Sequence, residues 1–149
     1  MTSLVFRALD QHVVGGLADN PAIEDELGSM SFAQLLHESA SVAGAINQLG
    51  VSTGTEIALD LPSGRERIIA VLACARLGAV PRAGATEFRL TGVPPVFHAS
   101  ETEAAWDLLI RAGRNEPAPA PSNDPDGYEQ LLLADFGDIF VPLTEGQTI

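Results

Sequence analysis

Lysine is missing from these 149 residues, and all eight cations are Arg. A guanidinium does not give up its proton near neutral pH, so no Schiff base, amine nucleophile or phosphate-loop Lys can operate from within the chain. Cysteine is nearly missing: Cys74 is the single thiol. That excludes an intramolecular disulfide and suits a reducing cytoplasm. Long apolar runs are absent, with nothing approaching the roughly 18 consecutive residues of a membrane span. The amphipathic opening reaches the acid Asp10 without the apolar stretch of a secretory leader. Positive charge is scarce, since twenty acids against eight bases leave a net charge of −12. Nucleic acid and anionic membranes are therefore poor partners, because both are held by clustered cations. A self-repelling soluble surface is the plain reading of this charge, and an acidic face that meets a basic partner is the sharper one. His12, His37, His98 and Cys74 are scattered without metal-ligand spacing, so no metal is expected. No internal repeat is visible.

What is present is an apolar fraction of 46%, enough for the core of one compact domain. Ser3 to about Val14 reads as a helix stopped by Gly15-Gly16. Pro21–Asp25 reads as a short strand, residues 26–29 as a turn and Met30-Ser31 as an extended piece. Ser31 and Gln34 have the spacing of a capping box ahead of the periodic series Phe32, Leu35, Leu36, Val42, Ala43, Ile46 and Leu49. Gly50 closes that helix. Residues 56–61 read as a strand and 65–77 as a helix apolar nearly all round, closed by Gly78 before a strand at 79–81. Strand, helix and strand at this spacing form a βαβ unit with parallel pairing. Val96–Ala99 reads as a strand, and Ser100 with Glu103 as a second capping box opening a helix to Arg111, with Ala104, Ala105, Leu108 and Leu109 inward. The expected class is α/β, a mostly parallel central sheet with helices on both faces. The expected division is an α/β domain over 1–115, a mobile Pro-rich connector over 116–127, and a short docking helix with a terminal strand over 128–149.

Several phrases coincide with one family. Met30-Ser31-Phe32-Ala33-Gln34-Leu35, the run from Ala43 through Gly50-Val51 to Ile57-Ala58-Leu59, Leu61-Pro62-Ser63-Gly64-Arg65-Glu66, Ala70 through Pro81, and Gly127-Tyr128-Glu129-Gln130-Leu131-Leu132 resemble, in order, segments of adenylate-forming enzymes. That superfamily includes acyl- and aryl-CoA synthetases, nonribosomal peptide adenylation domains and luciferases. The resemblance is most continuous over 20–84 and returns over 127–149. It implies the N-terminal part of that fold, with residues 135–149 resembling the approach to the phosphate-binding loop. The Lys-ending phosphate loop, the adenine and magnesium segment, the ribose-binding Asp and the catalytic Lys of the family have no counterpart in these residues. No family site residue carries over, no cofactor is expected, and the chain is not expected to adenylate alone.

A few residues remain as weak candidates for chemistry. Asp60 lies near the carboxyl end of a strand beside Ser63, where ligands of open α/β sheets gather, although either side chain could instead cap the following helix. His98, at a strand end, is a candidate general base or a hydrogen-bonded structural residue. Glu87 and Arg89 flank Phe88 on one side of an extended segment and suit a polar ligand or a solvated ion pair. Trp106 offers a contact anchor or a cover for the core. Cys74, in apolar company mid-helix, should be inert. These residues leave three functions open. One is a binding or assembly protein, paired with itself or with a partner polypeptide. Another is a repurposed enzyme holding an apolar small molecule and acting through His98, Asp60 and Glu87. The third is one piece of a split acyl- or aryl-CoA ligase.

Overall fold

Ser31 starts the longest regular element by the expected reciprocal cap. Its Oγ accepts the Gln34 N–H at 3.1 Å, and Gln34 Oε1 accepts the Ser31 N–H at 2.8 Å. In this computed structural model, which describes residues 2–85 and 87–149, the cap opens helix α1, Phe32–Gln48. Met1 and Thr86, both inside the expected domain over 1–115, lie outside the described residues. The chain divides into two compact units, one of Met1–His37 with Ala120–Ile149 and one of Glu38–Pro119. The divide falls inside α1, and it differs from the expected boundaries near 115 and 127. No helix among the described residues is long and apolar enough to cross a membrane.

In the first unit a helical segment over residues 4–17 contains two π-helical stretches, Phe6–Asp10 and Val13–Leu17. Winding does not stop at Gly15-Gly16 as expected. Gly16 adopts φ 101° within it, a conformation open to a residue with no Cβ. Leu4, Val5, Ala8 and Leu9 are buried. His12 Nε2 donates to the Leu143 carbonyl at 2.7 Å, and the ring meets Phe32 edge-on at 5.1 Å. Strands β1 (Pro21–Asp25) and β2 (Gly28–Ser31) form an antiparallel hairpin. Ile149 joins β1, donating to Ala22 O at 2.8 Å and accepting from Glu24 N–H at 3.3 Å. A short helix and a terminal strand were expected over 128–149. Instead helix α4 runs through Tyr128–Thr144, with a kink at Phe136 and with Pro142 inside it. Burial of Tyr128, Leu132, Ile139, Phe140 and Leu143 gives this helix a continuous apolar face that outweighs both local breaks.

The second unit holds the βαβ unit. Strand β3 (Glu56–Asp60), helix α2 (Arg65–Leu77) and strand β4 (Val80–Pro81) follow the sequence pattern closely, and β3 pairs parallel with β4. Ile68 through Arg76 are buried without interruption, as an all-round apolar helix requires. Gly78 closes α2 in the left-handed region at φ 76°, its N–H donating to Cys74 O. Strand β5 (Phe88–Thr91) pairs parallel with the other side of β3, and strands β6 (Val96–Ala99) and β7 (Thr102–Ala105) continue antiparallel, giving the order β4-β3-β5-β6-β7. The architecture is α/β with parallel pairing at the centre.

The expected capping box at Ser100 does not form. Ser100 has φ 48° and sits in the tight turn between β6 and β7. Glu103 is drawn across the strand pair to His98 instead of back to Ser100. Helix α3 begins later and spans Trp106–Gly113. Within it Leu109 is buried, while Leu108 and, at the end of β7, Ala105, both expected inward, are exposed. The first part of the connector is fastened, not loose. Ala118 N–H donates to Ala40 O at 3.0 Å, and the buried Arg76 donates from Nε to Ala118 O at 2.8 Å.

Candidate functional site

Strict alternation in β5, β6 and β7 separates two chemistries onto the two faces of the sheet. Phe88, Leu90, Phe97, Ala99 and Ala104 are buried on one face, where Phe88 and Phe97 stack at 6.1 Å. The opposite face carries Arg89, Thr91, His98 and Glu103, all partly or fully exposed. Strand register sets Arg89 directly across from His98, and His98 directly across from Glu103. Asp60 is across from Thr91 on the parallel side.

His98 is the centre of this face. Its Nε2 lies 3.0 Å from Thr91 Oγ1, and its Nδ1 lies 3.4 Å from Glu103 Oε1. The imidazole is 24% exposed and the Glu103 carboxylate 72%. A carboxylate only accepts, so the tautomer with the proton on Nδ1 satisfies both contacts, Nε2 then accepting from the Thr91 hydroxyl. Sequence reasoning singled out His98 but missed both partners. The available signal was spacing, since two tight hairpins fold residues 91, 98 and 103 onto one face.

The other candidates are spread out. Asp60, exposed at the end of β3, shares the polar face with His98. Neither Asp60 nor Ser63 caps α2, because the N-cap is Gly64 and no side chain bonds there. Ser63 lines a cavity of about 120 Å³ with Leu61, Pro62, Gly92, Val93 and Pro95 among its walls. Glu87 lines a separate cavity of about 520 Å³ with Gly50, Thr55, Glu56, Gly84, Ala85 and Phe88. No ion pair joins Glu87 to Arg89 among the described residues; the nearby pair is Arg82 with Glu56 at 2.6 Å. Trp106 is 9% exposed and covers core, so it is not a free surface anchor. Cys74 is fully buried, and that burial pushes its thiol up to about 12. No cluster of His, Cys, Asp or Glu able to hold a metal ion occurs among the described residues.

Comparison with known proteins places this arrangement in context. A family profile described as AMP-binding enzyme matches residues 10–106. An acetyl-coenzyme A synthetase from Streptomyces avermitilis is 38% identical across 99% of this chain, which spans 24% of that relative. Another from Deinococcus radiodurans is 40% identical over 53% of this chain and 13% of its own length. Among solved structures, the inhibitor-bound N-terminal domain of FACL13 from Mycobacterium tuberculosis superimposes with a TM-score of 0.50 at 23% identity, over 54% of this chain and 20% of that one. An artificially fused adenylation–PCP di-domain from Klebsiella oxytoca gives a TM-score of 0.51 at 17% identity, over 54% of this chain and 15% of that one. These structural likenesses concern the fold alone.

Proposed function

The chain belongs to the AMP-binding enzyme family, and from that membership we propose that these residues act as a binding or assembly module of acyl-CoA synthetase type that does not adenylate on its own. One observation carries the reading. Nearly the whole chain aligns with an acetyl-coenzyme A synthetase, yet it spans only 24% of that relative and contains no Lys.

Adenylyl transfer moves charge on to phosphoryl oxygens, and its stabilisation calls for convergent cations, a phosphate cradle or a bound metal. Three of the eight Arg residues are engaged elsewhere. Arg7 pairs with Glu129, Arg82 pairs with Glu56, and Arg76 is buried against the Ala118 carbonyl. The Ser63-Gly64-Arg65 turn ahead of α2 is too short to wrap a phosphate.

Assembly is favoured by the edges of the five-stranded sheet. β4 is only two residues long and contains Pro81, which lacks an N–H, so that edge is blunted. Among the described residues β7 is the other edge, four residues long, and α3, which follows it in the chain, carries the 49%-exposed Leu108. A second copy of the chain or a partner polypeptide would cover that edge, in a cytoplasm that keeps Cys74 reduced. The same coverage of relatives also suits one piece of a larger acyl-CoA ligase.

Two measurements on the purified chain test the proposal. Size-exclusion chromatography with light scattering should give a defined dimer, and ATP–pyrophosphate exchange with acetate and other short acids should stay at background. A monodisperse monomer would remove the self-assembly reading. Saturable exchange by the chain alone would overturn the inability to adenylate.

A further inference from the structure

Thr91, His98 and Glu103 stand in series as hydroxyl, imidazole and carboxylate, with each ring nitrogen directed to a different partner. This is the order in which a base removes the proton of a nucleophile while a carboxylate fixes the tautomer and steadies the imidazolium. Three adjacent strands hold the side chains, and the far face of those strands is anchored in the core by Phe88, Leu90 and Phe97. Charged groups sharing the polar face include Asp60 and, by strand alternation, Glu56 from β3 with its partner Arg82, together with Arg89 from β5 and Glu103 from β7. Arg89 stands across from His98, forms no ion pair among the described residues, and places a cation in the same row. Gly92, the residue after Thr91, lines the cavity of about 120 Å³ together with Leu61, Pro62, Ser63, Glu66, Val93 and Pro95, a volume that suits a short acyl group beside the polar row.

We propose that Thr91, His98 and Glu103 form an acyl-transfer site for esters of short carboxylic acids. Thr91 Oγ1 forms a bond to the acyl carbon while its proton passes to His98 Nε2. The bond from the acyl carbon to the leaving oxygen breaks, and the alcohol departs with the proton held by His98. Water, deprotonated by the same nitrogen, then cleaves the Thr91 ester. The acid is released and Thr91 Oγ1 recovers its proton, so the net change is ester plus water to acid plus alcohol. Thr91 and His98 touch the reacting atoms, while Glu103 is a positioning residue.

The test uses the full chain and p-nitrophenyl acetate, with release of nitrophenolate followed by absorbance and acid-quenched protein mapped by peptide mass spectrometry. Saturable turnover above that of free imidazole at equal concentration is expected, with acetyl on Thr91. Turnover should rise with deprotonation of one group. Thr91→Val and His98→Gln should each lower the rate by roughly 100-fold or more, the scale of general-base and nucleophile loss. Thr91→Ser should retain activity and the adduct, which keeps the test meaningful if Thr91→Val does not fold. Glu103→Gln should shift the pH profile as well as the rate. A rate equal to free imidazole, an acetyl group elsewhere, or loss of turnover in His37→Gln instead of His98→Gln would overturn the proposal, since His37 is an exposed imidazole outside this row.

Discussion

Gly113→Ala tests the closest packing contact in the second unit. Gly113 ends α3 against Ser41 of α1, and a Cβ built there overlaps the Ser41 carbonyl oxygen and lies 2.9 Å from Ser41 Cα. Carbon atoms at rest sit about 3.5–4.0 Å apart, and because the Ser41 carbonyl group lies nearer still than its Cα, the two backbones would have to separate by roughly 1 Å or more. The obstructing atoms belong to a buried main chain and cannot rotate aside. The cost should therefore lie at the upper end of overpacking, about 3 kcal/mol. For a chain of this size that corresponds to a melting temperature lower by roughly 6–12 °C, read by circular dichroism or calorimetry. Gly15→Ala supplies the control, because nothing lies within 4 Å of a Cβ there and no positive φ is required. It should be neutral or stabilising by up to about 1 kcal/mol. Equal melting temperatures for Gly113→Ala and the parent would refute the close approach of α1 and the end of α3.

Three other outcomes follow from local features. Ser31→Ala removes one half of the reciprocal cap and should cost about 1 kcal/mol in urea denaturation, with little further loss when Gln34→Ala is added. Cys74, fully buried with its thiol pushed up, should resist iodoacetamide at pH 8 until the chain unfolds; rapid labelling of the native protein would contradict its burial. Asp124 has its carboxyl raised above the ordinary value of 3.8, chiefly by burial, with the Leu4 N–H opposing, Glu129 adding and Arg7 opposing. The folded chain thus holds that proton more tightly than the unfolded chain. Its contribution is fully present below the ordinary value and is lost as pH rises through the raised one. Asp124→Asn keeps an oxygen for Leu4, so its stability relative to the parent should increase as pH rises through that window, and a decrease would reverse the assignment.

Much of the fold was legible wherever local and tertiary demands agree. The reciprocal Ser31–Gln34 cap, the limits of α2 and the strand Pro21–Asp25 all emerged as expected, because each joins a strong end signal to an apolar pattern. The reading went astray where one local pattern serves two structures. Ser100-x-x-Glu103 satisfies a helix cap on paper, but the β6–β7 hairpin uses Glu103 across the sheet and pushes the helix start to Trp106. A terminal strand was expected after a short helix over 128–149, yet burial of Ile139, Phe140 and Leu143 sustains α4 past Gly137 and Pro142. The site was only half legible. His98 stood out by its chemistry, whereas Thr91 and Glu103 are ordinary residues whose meaning depends on strand register. That register is set by the buried face, on which Leu90 stands opposite Phe97.

The bond between Ala118 and Ala40 brings the two ends of the second unit together, and in chain order this unit interrupts the first. That interruption imposes an order on folding during synthesis. Residues up to His37 emerge first, but the groups that complete their structure come much later. Leu4 waits for Asp124, His12 for Leu143, and β1 for Ile149. At ordinary translation rates the interval between His37 and Ile149 lasts roughly 6–20 s. Throughout it Leu4, Val5 and Leu9, buried in the finished fold, lack their last partners. The residues from Glu38 to Pro119 have their own sheet and helices and can condense meanwhile. The segment from Glu38 to Pro119 should therefore close before the flanking residues do, and a chaperone that binds apolar segments would have its longest opportunity at Leu4, Val5 and Leu9.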